Sequence, residues 1–97
     1  MLLGELLQQI GHERTLNFRD ADIRGIATDS RHVLQGDLFI CFAGGEHDGH
    51  DYAAEALAAG AAALVVEREL PFDVPQVVVR GGRRAVAGIA APFYGPP

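Results

Sequence analysis

Leu38-Phe39-Ile40-Cys41-Phe42-Ala43 is an unbroken apolar run, entered through Gly36-Asp37 and left through Gly44-Gly45. A run this short, closed by glycine on both sides, is too brief for a globular helix and reads as a buried strand. The residues after it, Gly44-Gly45-Glu46-His47-Asp48-Gly49-His50, are polar and glycine-rich. A loop leaving the end of a rigid buried strand is held in place and presents backbone N–H groups to a ligand. Before the run stands Thr28-Asp29-Ser30-Arg31, which follows a shorter apolar segment. Thr28 to His50 therefore reads as strand end, turn, buried strand and ligand loop.

The rest of the chain supplies layers for such a strand. Leu2, Leu3, Leu6, Leu7 and Ile10 recur at helical spacing before Gly11, an amphipathic helix with a glycine stop. His12 to Asp22 is polar and irregular and reads as a connection. Ile23 to Ala27 alternates as a strand with one wet face, and Gly25 within it admits the close approach of another backbone. Val33 to Asp37 is a turn in which Gly36 supplies a positive φ and Asp37 bonds its own backbone. After the loop, Asp51 caps a helix from Tyr52 to Ala59 that stops at Gly60. Leu64-Val65-Val66 and Gln76 to Val79 are further strands, parted by a loop at Pro71, Asp73 and Pro75. Strand, helix, strand at this spacing is a βαβ unit with a right-handed crossover and parallel pairing. A last helix runs from Arg83 to Tyr94, and Gly95-Pro96-Pro97 marks a domain edge. The expected fold class is α/β, a small three-layer α/β/α domain with a mainly parallel or mixed sheet and flanking helices, one domain over residues 1–97.

Composition excludes several functions. Cys41 is the sole cysteine, so a disulfide framework is ruled out and a reduced, cytoplasmic setting is expected. No apolar run approaches the ~20 residues that span a bilayer. The N-terminus has an acid early and no basic region, unlike a signal peptide. A net charge of −5 argues against nucleic acid or an anionic membrane as partner. All 8 basic residues are arginine. Without lysine there is no Gly-Lys-Thr phosphate loop and no lysine-based covalent chemistry. The ATP site of any ATP-using enzyme that contains this chain lies elsewhere.

Several side chains admit competing readings. Arg31 either pairs a phosphate or braces the turn with Asp29, and Asp29 itself is read as bracing. His47 and His50, with Glu46, Asp48 and Asp51 nearby and His32 upstream, are of metal-ligand type, but no cysteine and no distant second pair joins them. Asp48-Gly49 is read instead as a tight turn held by a hydrogen bond from His50, and no metal is expected. Cys41 reads as a small buried hydrophobe, not a nucleophile. The glycine spacing does not fit a dinucleotide fingerprint.

Four fragments in order carry a resemblance. They are Thr28-Asp29-Ser30-Arg31-x-Val33-x-x-Gly36-Asp37-Leu38-Phe39, then Gly44-x-x-x-Asp48-Gly49-His50-Asp51-Tyr52, then Ala56-x-x-x-Gly60-Ala61, and last Ala90-x-x-Phe93-Tyr94-Gly95-x-Pro97. From Ile26 onward the chain resembles the N-terminal domain of the Mur ligases, in particular the UDP-N-acetylmuramoyl-tripeptide synthetases. The resemblance implies an enzyme of peptidoglycan (cell wall) biosynthesis with three domains. The first holds the UDP part of UDP-N-acetylmuramoyl-L-alanyl-D-glutamate. The second holds ATP and Mg2+, and the third brings meso-diaminopimelate or L-lysine. The acid is activated as an acyl phosphate and attacked by an amine. The chain ends before the family's phosphate loop, which implies the first domain alone, with no cofactor and no catalysis of its own.

The resemblance also places site residues. Thr28 and Ser30 resemble the residues at the nucleotide's edge, and Gly45, Glu46 and His47 lie in the loop that resembles the family's uridine-diphosphate contact. The residue chemistry agrees. Ser30 offers a hydroxyl donor to a phosphate oxygen, Gly44 and Gly45 let backbone N–H groups approach closely, and the helix after Asp51 adds positive partial charge. With Arg31, the candidate substrate site is Thr28, Ser30, Arg31, Gly44, Gly45, Glu46 and His47. The chain departs from the family at Gly81-Gly82, where an aspartate is frequent, and at Pro92, where a helix former is usual. Two rival readings stand: the matching domain of the D-alanyl-D-alanine-adding Mur ligase, and a non-catalytic stand-alone binding module.

Overall fold

The computed structural model describes residues 1–8, 14–42 and 48–81. Gly44, Gly45, Glu46, His47 and the helix expected over Arg83 to Tyr94 lie outside them. Strands β1 (Arg14–Leu16), β2 (Gly25–Ala27), β3 (Asp37–Ile40), β4 (Ala63–Val66) and β5 (Gln76–Val78) form one 5-stranded sheet in the spatial order β1-β5-β4-β3-β2. β2 through β5 pair parallel, and β1 runs antiparallel against β5 at one edge. Helix α1 (Leu3–Leu7) and helix α2 (Ala53–Ala58) cover opposite faces. This is the mixed, layered α/β architecture expected from the apolar run.

Strand periodicity builds the two faces. Every residue of β3 and of β4 is buried, and successive side chains on a strand point to opposite sides. Leu38, Ile40, Ala63, Val65 and Val77 meet Leu3 and Leu6 of α1 on one side. Phe39, Cys41, Leu64, Val66 and Val78 meet Ala53 and Ala56 of α2 on the other. Alanine at the two fully buried positions lets α2 lie close to the sheet, and Leu57 packs beside them at the cluster's margin.

Several details differ from the reading of the sequence. Helix α1 covers Leu3–Leu7, Ile10 and the expected stop at Gly11 lie outside the described residues, and Leu2 pairs in an isolated antiparallel bridge with Asp22. Part of the segment taken as a connection is strand β1, whose three residues pair with Val78, Val77 and Gln76. Three residues are too few to show a period, and an edge strand needs only one buried face. β3 begins at Asp37 and ends at Ile40, one residue earlier at its start and three earlier at its end. Gly36 does take a positive φ of 88°, and the Asp37 carboxylate accepts the Leu34 N–H at 2.9 Å within the turn. What crowds Gly25 is a side chain, not a backbone: a Cβ there would stand 2.8 Å from Asp37 Oδ1. Asp51 does not cap α2. A 3-10 turn over Gly49–Tyr52 precedes that helix, and Asp48 caps the turn by accepting the His50 N–H at 2.9 Å.

Candidate functional site

Because β2 and β3 are parallel, their C-terminal ends lie on the same edge of the sheet. That edge is where α/β sheets receive ligands, since the segments leaving the strands diverge there. After β2 the chain passes through Thr28 and Asp29 into a 3-10 turn, Ser30–His32. After β3 it passes through Cys41 and Phe42 and returns through Asp48 to the turn that opens α2. Between these segments lies a cleft of about 640 Å³ lined by Thr28, Asp29, Ser30, Arg31, Phe39, Phe42, Gly49, Tyr52 and Glu55.

One wall is the Asp29–Arg31 turn. Asp29 caps it by accepting the Arg31 N–H at 2.9 Å. The same carboxylate takes both prongs of the Arg31 guanidinium, Nε at 3.0 Å and Nη2 at 2.7 Å. The guanidinium first and the Arg31 amide second hold Asp29 well below the usual carboxylate range, and the carboxylate in turn raises Arg31. The Arg31 side chain is 77% exposed, so the pair shapes the rim and contributes little stability. Both residues brace the turn here, the reading given to Asp29 and one of the two left for Arg31. Ser30 is buried, and its hydroxyl donates to Glu55 Oε2 of α2 at 3.2 Å. The hydroxyl expected to meet a phosphate thus ties the turn to the helix.

The opposite wall depends on a close backbone contact. The Gly49 N–H donates to the Phe42 carbonyl at 2.7 Å, and a Cβ on Gly49 would stand 2.7 Å from the Phe42 nitrogen. Only glycine permits that approach. Behind it sits His50, only 4% exposed. Its Nε2 accepts the Glu67 N–H at 2.9 Å, so that nitrogen carries no proton, and Nδ1–H donates to Asp48 Oδ1 at 2.6 Å. Asp48 also takes Arg68 Nη1 at 3.0 Å. The His50 amide, then its ring, then Arg68 hold the Asp48 carboxyl well below its ordinary value. This is the turn-holding part foreseen for His50. Burial pushes the Cys41 thiol up to about 12, which leaves it inert as a nucleophile.

Of the residues singled out from the sequence, Thr28, Ser30 and Arg31 share this one cleft, while Gly44, Gly45, Glu46 and His47 lie outside the described residues. Phe39, Phe42, Gly49, Tyr52 and Glu55 also line it; of these, sequence reasoning had placed only Gly49, as part of the ligand loop, and none was named as a substrate contact. A signal did exist for two of these. Tyr52 and Glu55 are three apart at the start of the helix after the loop, a spacing that puts them on one face. Among the described residues, no three of His, Cys, Asp and Glu are placed to hold a metal ion, and no helix is long and apolar enough to cross a membrane.

Comparison with known proteins bears on the whole chain. Residues 22–94 match the family described as "Mur ligase family, catalytic domain". The UDP-N-acetylmuramoyl-L-alanyl-D-glutamate--2,6-diaminopimelate ligase of Bacillus velezensis is 46% identical over 98 residues, which cover 100% of this chain and 20% of that protein. The ligase of the same name from Geobacillus kaustophilus is 54% identical over 76 residues, 78% of this chain and 16% of its own length. Among solved structures, MurF from Acinetobacter baumannii superposes with a TM-score of 0.65 at 36% identity, covering 71% of this chain and 15% of its own. MurF from Thermotoga maritima, in complex with ADP, does so with a TM-score of 0.63 at 32% identity, covering 77% and 18%. The chain thus spans about 20% of the length of the curated relatives it matches.

Proposed function

The chain belongs to the Mur ligase family, and from that premise we propose that it is the substrate-holding N-terminal domain of a tripeptide-forming ligase of peptidoglycan biosynthesis. In this reading residues 1–97 bind the UDP moiety of UDP-N-acetylmuramoyl-L-alanyl-D-glutamate, with Thr28, Ser30, Arg31, Gly44, Gly45, Glu46 and His47 around it. The amino acid added by the complete enzyme is 2,6-diaminopimelate, as in the names of the relatives. The setting in this reading is the cytoplasm.

The observation that carries this reading is the cleft at the C-terminal ends of two parallel strands. It is lined by the Thr28–Arg31 turn on one side and by Phe42 and Gly49, which flank the glycine-rich loop, on the other. ATP and Mg2+ belong to a further domain of the ligase. The chain has no lysine to meet a phosphate from a loop of the Gly-Lys-Thr kind, so it performs no ligation alone. The D-alanyl-D-alanine-adding reading draws support from the MurF superpositions, but those stand at 32% and 36% identity against 46% and 54% for the diaminopimelate ligases.

Calorimetric titration of UDP into the protein tests the proposal. Binding is expected, and Ser30→Ala should weaken it by ~1.5–3 kcal/mol, the span of one hydrogen bond to a charged group, because it releases the Glu55 carboxylate that the Ser30 hydroxyl holds at the cleft. No heat with UDP, or ATP hydrolysis by the isolated chain with Mg2+, would overturn it.

A further inference from the structure

Glu55 lines the cleft but has no part in the site drawn from the sequence. It is an exposed residue on the cleft side of α2. It lies in α2 between Ala53 and Ala56, both fully buried against the sheet, and its Oε2 accepts the Ser30 hydroxyl. An ionised carboxylate has roughly four acceptor positions, and Ser30 fills one. The carboxylate is otherwise a pure acceptor, held at the mouth of a cleft whose lining includes two aromatic rings, Phe42 and Tyr52.

The charges on that lining indicate which part of a nucleotide belongs there. The charged residues are the carboxylates of Asp29 and Glu55 and the guanidinium of Arg31. Asp29 already holds the guanidinium with two bonds. A diphosphate beside Glu55 would meet two carboxylates and a single guanidinium that Asp29 already shares, a lining of net negative charge, an arrangement that costs binding. The nucleoside end is neutral. Its base suits the aromatic surface, and its vicinal ribose hydroxyls are donors that a carboxylate can accept in pairs. Resting on the proposed UDP reading, we infer that Glu55 is a specificity residue that accepts the 2′- and 3′-hydroxyls of the uridine ribose. It thereby orients the nucleotide with its diphosphate directed away from α2. Ser30 then acts through Glu55, holding the carboxylate in place.

The test is titration of UDP and 2′-deoxy-UDP into the wild-type chain and into Glu55→Gln. Glutamine keeps an oxygen for the Ser30 hydroxyl, so the tie between turn and helix survives. The wild type should prefer UDP by about tenfold, the effect of one charge-assisted hydrogen bond. Glu55→Gln should bind UDP about tenfold more weakly and lose most of that preference. The ratio of the two ligands is the deciding readout, because partial unfolding of the variant would weaken both alike. A variant that binds UDP equally well or more tightly, or that keeps the full preference, overturns the assignment, tighter binding being what relief of repulsion from a nearby phosphate would produce. Failure of the wild type to bind UDP at all would instead remove the substrate reading on which the assignment rests.

Discussion

The backbone N–H of Glu67 donates to Nε2 of His50 across 2.9 Å, joining the end of β4 to the turn that opens α2 through one buried imidazole. The other ring nitrogen donates to Asp48, and Asp48 in turn caps the turn and takes Arg68. The C-terminal end of the cleft's second wall is therefore held by a chain of hydrogen bonds in which His50 is the central member.

His50→Ala should remove that centre. The Glu67 N–H would lose its buried acceptor and the partly exposed Asp48 carboxylate one of its donors, at a cost of about 1–3 kcal/mol. His50→Phe should do no better, because it restores volume but no acceptor. Urea denaturation of the three proteins checks this, and a loss below ~0.5 kcal/mol for the alanine variant would show that the network does not hold the turn.

Acid should loosen the same place. Asp48 is held below its ordinary value of 3.8 in the folded chain, so its contribution is present above that value and is lost as pH falls through and below it. Thermal melts from neutral pH to strong acid should show the wild type losing stability more steeply than Asp48→Asn, which has no such proton to take up. Parallel curves would remove Asp48 as a source of the acid sensitivity.

Cys41 should be silent toward thiol reagents in the native chain. Its thiol is fully buried and stays protonated up to about 12. A disulfide reagent at about pH 8 should label it only after denaturant is added, because the thiolate is the reacting form. The folded value lies above the ordinary 9.0, so folding is favoured while the thiol is protonated and is progressively disfavoured as pH rises from 9.0 toward about 12. Rapid labelling without denaturant would contradict the burial.

Gly49→Ala tests the backbone contact that closes the loop's base. The added Cβ would lie 2.7 Å from the Phe42 nitrogen, and a main-chain atom at the end of a buried strand cannot swing aside as a side chain can. Overpacking of this kind costs about 1–3 kcal/mol, and UDP affinity should fall with it because both residues line the cleft. An unchanged denaturation midpoint with unchanged affinity would show that the strand end yields freely.

The strands buried on both faces were readable from the chain, and the edges were not. Leu38 to Ile40 and Leu64 to Val66 consist only of large apolar residues, so no alternative burial suits them. Thr15 is different. It reads as loop until Val77 lies opposite it, because the pairing partner is more than sixty positions away and leaves no mark nearby. The site divides in the same way. Thr28, Ser30 and Arg31 announce themselves as a cluster of hydroxyls and charge. Glu55 looks like a solvated helix residue until the packing of Ala53 and Ala56 turns it toward Ser30.

The linear order of residues alone determined the α/β class, the positive φ at Gly36 and the family, because burial on both faces, turn geometry and motif spacing are local properties of adjacent residues. Tertiary structure alone decided that Asp29 takes both prongs of Arg31, that Asp48 rather than Asp51 caps the turn, and that Ser30 faces Glu55. The reason is physical. A polar side chain near a turn has several partners within reach along the chain, and which one it takes depends on the few ångströms set by how the helix and the strand ends pack together.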